Sequence, residues 1–165
     1  MLKKIILVCL NLTVLLTLTM MSCSSDDNDE STVMIPVASP NDDVKEFFES
    51  SMPLASEADF FSERDGDVCE LVNSTEELND LYSGTMPLPN IDFQKYTLVI
   101  GKKLMENSFY KLSRQQMVQE DDHYVLYLYV SPVSETASWP AFSYLNFWGL
   151  YPKTSKRDIF VKIER

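Results

Sequence analysis

Apolar and polar residues alternate over much of the chain beyond residue 67. This alternation predicts strands at residues 68–72, 108–119, 124–131 and 142–151, because successive side chains of a strand point to opposite faces. A final strand with one solvent-exposed face is predicted at residues 159–164, where Ile159, Val161 and Ile163 alternate with Phe160, Lys162 and Glu164. A short apolar run at residues 96–101 predicts a strand buried on both faces. The acidic stretch 120–123 predicts a hairpin turn between the third and fourth of these six segments.

The sequence patterns typical of helices are fewer than those typical of strands. Ser74 or Thr75 can cap a helix that carries Leu78 and Leu81 on one face and ends at Gly84. One short amphipathic helical turn is predicted at residues 44–48, before Pro53, and Phe60 and Phe61 are expected to close an edge of the core. The expected fold class is therefore α+β: a small antiparallel sheet or β-sandwich-like domain of five or six strands with one helix packed on it.

The N-terminus has the order of a secretory signal peptide. Lys3 and Lys4 precede an apolar run at residues 5–21, which ends at Ser22 and Cys23. A retained membrane-spanning helix is the alternative, but the run is of marginal length and the residues after it are acidic. The stretch Met20-Met21-Ser22-Cys23 resembles the lipobox of bacterial lipoproteins, in which the cysteine is acylated and becomes the mature N-terminus. The resemblance implies lipidation at Cys23 and a firm lipid anchor in the membrane.

An acidic stretch follows this cysteine. Residues 24–30, with the sequence SSDDNDE, resemble the export signal of surface lipoproteins of Bacteroidetes, although a solvated linker would have a similar composition. The expected domain organisation is a signal peptide at 1–22, a lipidated cysteine with a flexible tether at 23–43, and one α+β domain at 44–165. The expected location is the outer membrane, lipid-anchored and exposed on the cell surface.

Composition and charge exclude several classes of partner and chemistry. Twenty-five acidic residues against 14 basic ones give a formal net charge of −11, so we expect no nucleic-acid partner. Cys69 would be left as an unpaired thiol in the mature chain, and its apolar context VCELV predicts a buried, unreactive side chain. His123 lies beside two acids in the predicted hairpin turn, without the motif of a triad or a metal site. We therefore expect no catalytic residue, no metal site and no cofactor.

The remaining candidate for a functional surface is aromatic. Residues 142–151 are rich in aromatic side chains, and a strand there would place residues 142, 144, 146 and 148 on one face and residues 145, 147 and 151 on the other. Such side chains either form the core of a small sheet or stack on a sugar or protein partner. Trp139, before Pro140, is expected to be exposed in a loop, whereas Trp148 is expected to belong mainly to the core. Tyr127 and Tyr129 alternate with apolar residues and form a second possible binding surface.

Two fragments of the domain resemble known families. The sequences NSTEEL at residues 73–78 and IDFQKYTL at residues 91–98 are similar to a pattern in small Bacteroidetes lipoproteins. The second fragment also resembles the C-terminal domain of the protease-complex subunit PrcB, although this chain has Asn107-Ser108-Phe109-Tyr110 in place of that family's glycine-containing motif. The leading hypothesis is a noncatalytic protein- or glycan-binding module. The alternative is an accessory or inhibitory subunit of a peptidase.

Overall fold

The computed structural model describes residues 32–53, 58–106, 110–133 and 142–165. These ranges contain seven strands and two helices. The strands are β1 (Val33–Ile35), β2 (Val68–Val72), β3 (Tyr96–Met105), β4 (Tyr110–Glu120), β5 (His123–Pro132), β6 (Ser143–Pro152) and β7 (Ile159–Glu164). The helices are α1 (Asp42–Ser51) and α2 (Thr75–Leu81).

The strands form two sheets. One sheet has four strands in the order β1-β4-β5-β7, and the other has three in the order β2-β3-β6. Every neighbouring pair is antiparallel except β5 and β7, which run parallel. The fold is therefore a sheet-rich α+β domain, and all six strands predicted from the sequence are present.

The two sheets pack face to face around a shared core. Met117, Leu126 and Leu128 of the four-stranded sheet lie in the same buried cluster as Val99, Phe147 and other residues of the three-stranded sheet. A second cluster joins the other face of the three-stranded sheet to α1 and to Phe60 and Phe61. The molecule thus has three layers, and the outer face of the four-stranded sheet is the one that neither cluster covers.

Both helices begin at side chains that accept backbone hydrogen bonds. The Val44 amide donates to Asn41 Oδ1 over 2.9 Å, and the Glu77 amide donates to Ser74 Oγ over 3.1 Å. Glu77 Oε2 in turn accepts from the Asn73 amide, so Ser74 and Glu77 resemble a capping box. Burial raises the pKa of Glu77, but hydrogen bonds from Lys156 and the Asn73 amide outweigh it and leave that pKa lowered.

Three features of the fold differ from the expectations. Part of the stretch expected to be a tether belongs to the domain: β1 pairs with β4, and Ala38 bonds to Leu150. Helix α1 is ten residues long rather than a single turn, and it packs Phe47 and Phe48 into the core. Strand β7 is parallel to its neighbour because the chain crosses from β6, in one sheet, to the far edge of the other. In the part of the chain described here, neither helix is long and apolar enough to cross a membrane.

Candidate functional site

The structure describes two of the four predicted site residues, Tyr127 and Tyr129. Cys23 and Trp139 lie outside the described residues. Tyr127 and Tyr129 lie on β5 and are half-buried. Since Leu126, Leu128 and Val130 of the same strand point into the core between the sheets, the two tyrosines point to the outer face of the four-stranded sheet.

The aromatic strand β6 contributes mainly to the core. Leu145, Phe147 and Tyr151 are buried between the sheets, as the alternation predicts. Trp148 lies on the opposite face and stacks on Phe48 of α1, with 4.7 Å between ring centroids. Phe142, expected to share that face, precedes the strand and is 76% exposed. Apart from Phe142 and the half-buried Tyr144, the described aromatic side chains of this segment therefore pack into the core.

An apolar row crosses the outer face of the four-stranded sheet. Met34, Val118, Val125 and Phe160 are successive register partners on β1, β4, β5 and β7. The two central valines are buried, whereas Met34 is 67% exposed and Phe160 is 54% exposed. We call these four side chains the apolar row. It presents two large apolar groups at the margins of the sheet, where a partner can cover them.

Tyr127 and Tyr129 lie beside the apolar row, each beneath a cationic side chain. Lys162 Nζ is 5.4 Å from the centroid of the Tyr127 ring, and Arg114 Cζ is 3.9 Å from the centroid of the Tyr129 ring. These pairs are cross-strand register partners, so the sheet itself holds each cation over its ring. A cation within about 6 Å of an aromatic ring is attracted by the ring quadrupole. The tyrosines and cations together form an ordered polar margin to the apolar row.

The other margin of the row is acidic. His123 Nε2 lies 3.5 Å from Glu120 Oε2, and its Nδ1 lies 3.3 Å from Asp122 Oδ1. The His123 ring also packs edge-on against Phe160, with 5.1 Å between centroids. Both ring nitrogens of this histidine therefore lie within 4.0 Å of a carboxylate of the hairpin.

A separate pocket of about 360 Å³ lies between residues 58–65 and strands β3 and β6. Its central cation is Lys102, whose ammonium group donates to the carbonyls of Phe61 and Arg64 and lies 4.7 Å from the centroid of the Tyr144 ring. Phe61 has a positive φ of 60°, which a phenylalanine rarely adopts. Lys102 thus holds an unusual loop against the sheet, which is a structural role.

Cys69, which the sequence predicts to be buried and unreactive, is half-buried. It packs against the core between the sheets, and burial, with a smaller contribution from Glu70, raises the pKa of its thiol to about 12. At neutral pH such a thiol is protonated and therefore a poor nucleophile. Among the residues that the structure describes, no three His, Cys, Asp or Glu side chains are grouped as metal ligands would be.

The sequence did not reveal the apolar row. The alternation in β7 correctly predicts that Phe160 and Lys162 lie on a solvent-exposed face, but it does not show that the neighbours of Phe160 come from three other strands. Met34 belongs to the predicted tether, where no periodicity marks a three-residue strand. A scan against models of protein families, a search of curated proteins and a search of solved structures each found no match to this chain.

Proposed function

We propose that this chain is a noncatalytic, lipid-anchored binding module of the outer-membrane surface, which contacts a protein partner through the outer face of its four-stranded sheet. The observation that supports this contact surface is the apolar row, with its exposed side chains Met34 and Phe160. Protein interfaces combine a central apolar patch with tyrosine, arginine, phenylalanine and methionine side chains and a polar rim. The outer face offers this combination in Met34, Phe160, Tyr127, Tyr129 and Arg114. The proposed anchor is Cys23, on the basis of the signal-peptide pattern.

The same face favours a protein over a neutral glycan. A sugar ring binds an aromatic residue by lying flat on it, which requires an open ring face. Arg114 covers one face of Tyr129, and Lys162 lies over Tyr127. The exposed Phe160 packs its ring edge-on with His123. These contacts occupy part of the aromatic surface on which a sugar would stack, while exposed apolar groups and cations suit a protein surface.

The alternative, an accessory or inhibitory subunit of a peptidase, would also require a protein contact. An inhibitor would present an extended loop to the peptidase cleft. Within the described segments, the loop that includes residues 61–64 is held against the sheet by Lys102. The sequence resemblance alone therefore supports this alternative, and the binding module is the function that we argue.

Photo-crosslinking in cells tests the proposed contact. A photoreactive amino acid replaces Phe160, and a matched control replaces Leu104, an apolar residue of β3 that is 44% exposed and lies away from the outer face. We expect a protein adduct from position 160 that is absent from position 104. The adduct should also disappear when Met34→Asp is introduced at the other end of the apolar row.

Two results would count against the proposal. Equal adducts from positions 160 and 104 would mean that the crosslinking reports nonspecific collisions. Binding of purified protein to neutral oligosaccharides, abolished by Tyr127→Ala, would instead assign the face to glycans.

A further inference from the structure

The described lysines and arginines differ in how their charges are compensated. Five of them form ion pairs with carboxylates, namely Lys45, Arg64, Lys95, Lys103 and Lys156. Three others donate hydrogen bonds to backbone carbonyls, namely Lys102, Lys153 and Arg157. Four cations in the described ranges have neither kind of partner, namely Lys111, Arg114, Lys162 and Arg165.

These four cations lie together at one end of the four-stranded sheet. Lys111 and Arg114 are on β4, opposite Ser131 and Tyr129 of β5. Lys162 is on β7, and Arg165 follows β7 with its guanidinium 5.1 Å from the centroid of the Tyr110 ring. The opposite end of the sheet carries the acidic hairpin of Glu120, Asp121 and Asp122. On the outer face, Lys111, Arg114 and Lys162 therefore form a basic end opposite the acidic hairpin, with the apolar row nearer the hairpin. Arg165 lies at the same end of the sheet but over Tyr110, which packs against the core between the sheets.

The basic end is unusual for a chain that is otherwise rich in acids. The chain has 25 acidic and 14 basic residues, so carboxylates outnumber cations. Among the residues that the structure describes, the register position opposite Tyr129 on β7 holds a carboxylate, Glu164, which forms no ion pair with them. Three of the four cations lie over tyrosine rings, which hold them in place and reduce the entropy lost on binding.

We infer that the protein partner presents carboxylates beside an apolar side chain, so that its acids meet Arg114 and Lys162 while its apolar group covers Phe160. This inference rests on the proposed function, because it specifies the chemistry of the partner that the outer face contacts. Complementary charge at an interface selects the partner and steers its approach more than it adds affinity. Binding should therefore be specific for acidic surfaces and should weaken as salt is added.

Peptide selection tests the chemistry of the partner. Random peptides displayed on phage are selected against the detergent-solubilised full-length protein, and bound peptides are sequenced. We expect enrichment of sequences that place Asp or Glu next to Phe, Leu or Met. The selected peptide is then titrated against three proteins: the wild type, Arg114→Glu/Lys162→Glu, and the control Lys45→Glu/Lys95→Glu.

The control variant changes the net charge by the same amount on two exposed lysines outside the outer face. We expect the Arg114/Lys162 variant to bind about tenfold more weakly and the control to bind within about twofold of wild type, since charge effects at an interface are local at moderate salt. Equal weakening of both variants would overturn the inference. Selection of basic or uncharged peptides, or of none, would do so as well.

The outcomes also separate this inference from the proposed function. If position 160 crosslinks to a protein but charge reversal leaves the adduct unchanged, the outer face binds a protein and the inference about carboxylates is wrong. If crosslinking fails, the proposed function is wrong too. Two further probes are vesicles containing phosphatidylglycerol and an acidic oligosaccharide, and binding of either in preference to the selected peptide would contradict a protein partner.

Discussion

Gly101 is the position at which one added methyl group should disturb the fold most. It lies in β3 between Cys69 of β2 and Phe147 of β6. A Cβ atom built on Gly101 would collide with the backbone carbonyl of Val68 and with the ring of Phe147, whose Cε2 would be only 2.9 Å away. Phe147 is 1% exposed, so its ring cannot move into solvent, and the carbonyl cannot move without disturbing the pairing of β2 with β3.

The expected cost of Gly101→Ala follows from these collisions. Overpacking a core costs about 1–3 kcal/mol, and each backbone hydrogen bond lost from the ladder adds about 1 kcal/mol. Alanine also lowers the conformational entropy of the unfolded chain, which stabilises the folded state by about 0.4–1 kcal/mol and offsets part of this cost. With one such bond lost, we therefore expect a net loss of about 2 kcal/mol in the free energy of unfolding, or roughly 7 °C in Tm for a domain of this size.

Urea denaturation followed by tryptophan fluorescence measures this loss. The control is Gly66→Ala, because Gly66 has a positive φ of 81° but no atom within 4 Å of an added Cβ. We expect Gly66→Ala to lower the free energy of unfolding by about 1 kcal/mol, because the only penalty is the strain of an alanine backbone at positive φ. In the double variant Gly101→Ala/Phe147→Ala the loss should be smaller than the sum of the single losses, since one colliding group is gone. The reasoning is refuted if Gly101→Ala costs no more than Gly66→Ala.

Three further predictions concern the cysteines and tryptophans. Cys23→Ala should move the protein from the membrane fraction to the soluble fraction; continued sedimentation with membranes would contradict the lipid anchor. Because the pKa of Cys69 is raised from 9.0 to about 12, its stabilising contribution should be complete below pH 9 and lost as the pH rises through about 12. The difference in unfolding free energy between wild type and Cys69→Ala should therefore shrink over that interval, and a constant difference would be the contrary result. Trp148→Ala should cost about 3 kcal/mol, because it removes the stack on Phe48. Trp139→Ala should weaken partner binding with little loss of stability; an equal fall in Tm for both tryptophan variants, or unchanged binding by Trp139→Ala, would show that their assigned roles are wrong.

The local sequence determined strands β2 to β7, helix α2 and the direction of the strand side chains. Alternation along β5 is enough to point Leu126 and Leu128 inward and Tyr127 outward, because successive side chains of a strand point to opposite faces. Ser74 and Glu77 similarly mark the start of α2 through bonds that span only a few residues. Such features need no knowledge of distant segments.

Only the tertiary structure decided which segments became neighbours. The apolar row joins Met34 to Phe160 through two intervening strands, and no local pattern records a pairing over that separation. Strand β1 forms by hydrogen bonding to the free edge of β4. Its three residues are too few to form a strand through their own β propensity. Which group lies beside each cation also depends on folding. Lys156 forms an ion pair with Glu77, which is distant in the sequence, whereas Arg114 lies over the ring of Tyr129. The sequence alone therefore predicts that Tyr127 and Tyr129 lie on one face of a strand. The cations and apolar side chains around them are brought there by pairing between strands that are distant in the sequence, so the composition of the candidate site depends on the register of those strands.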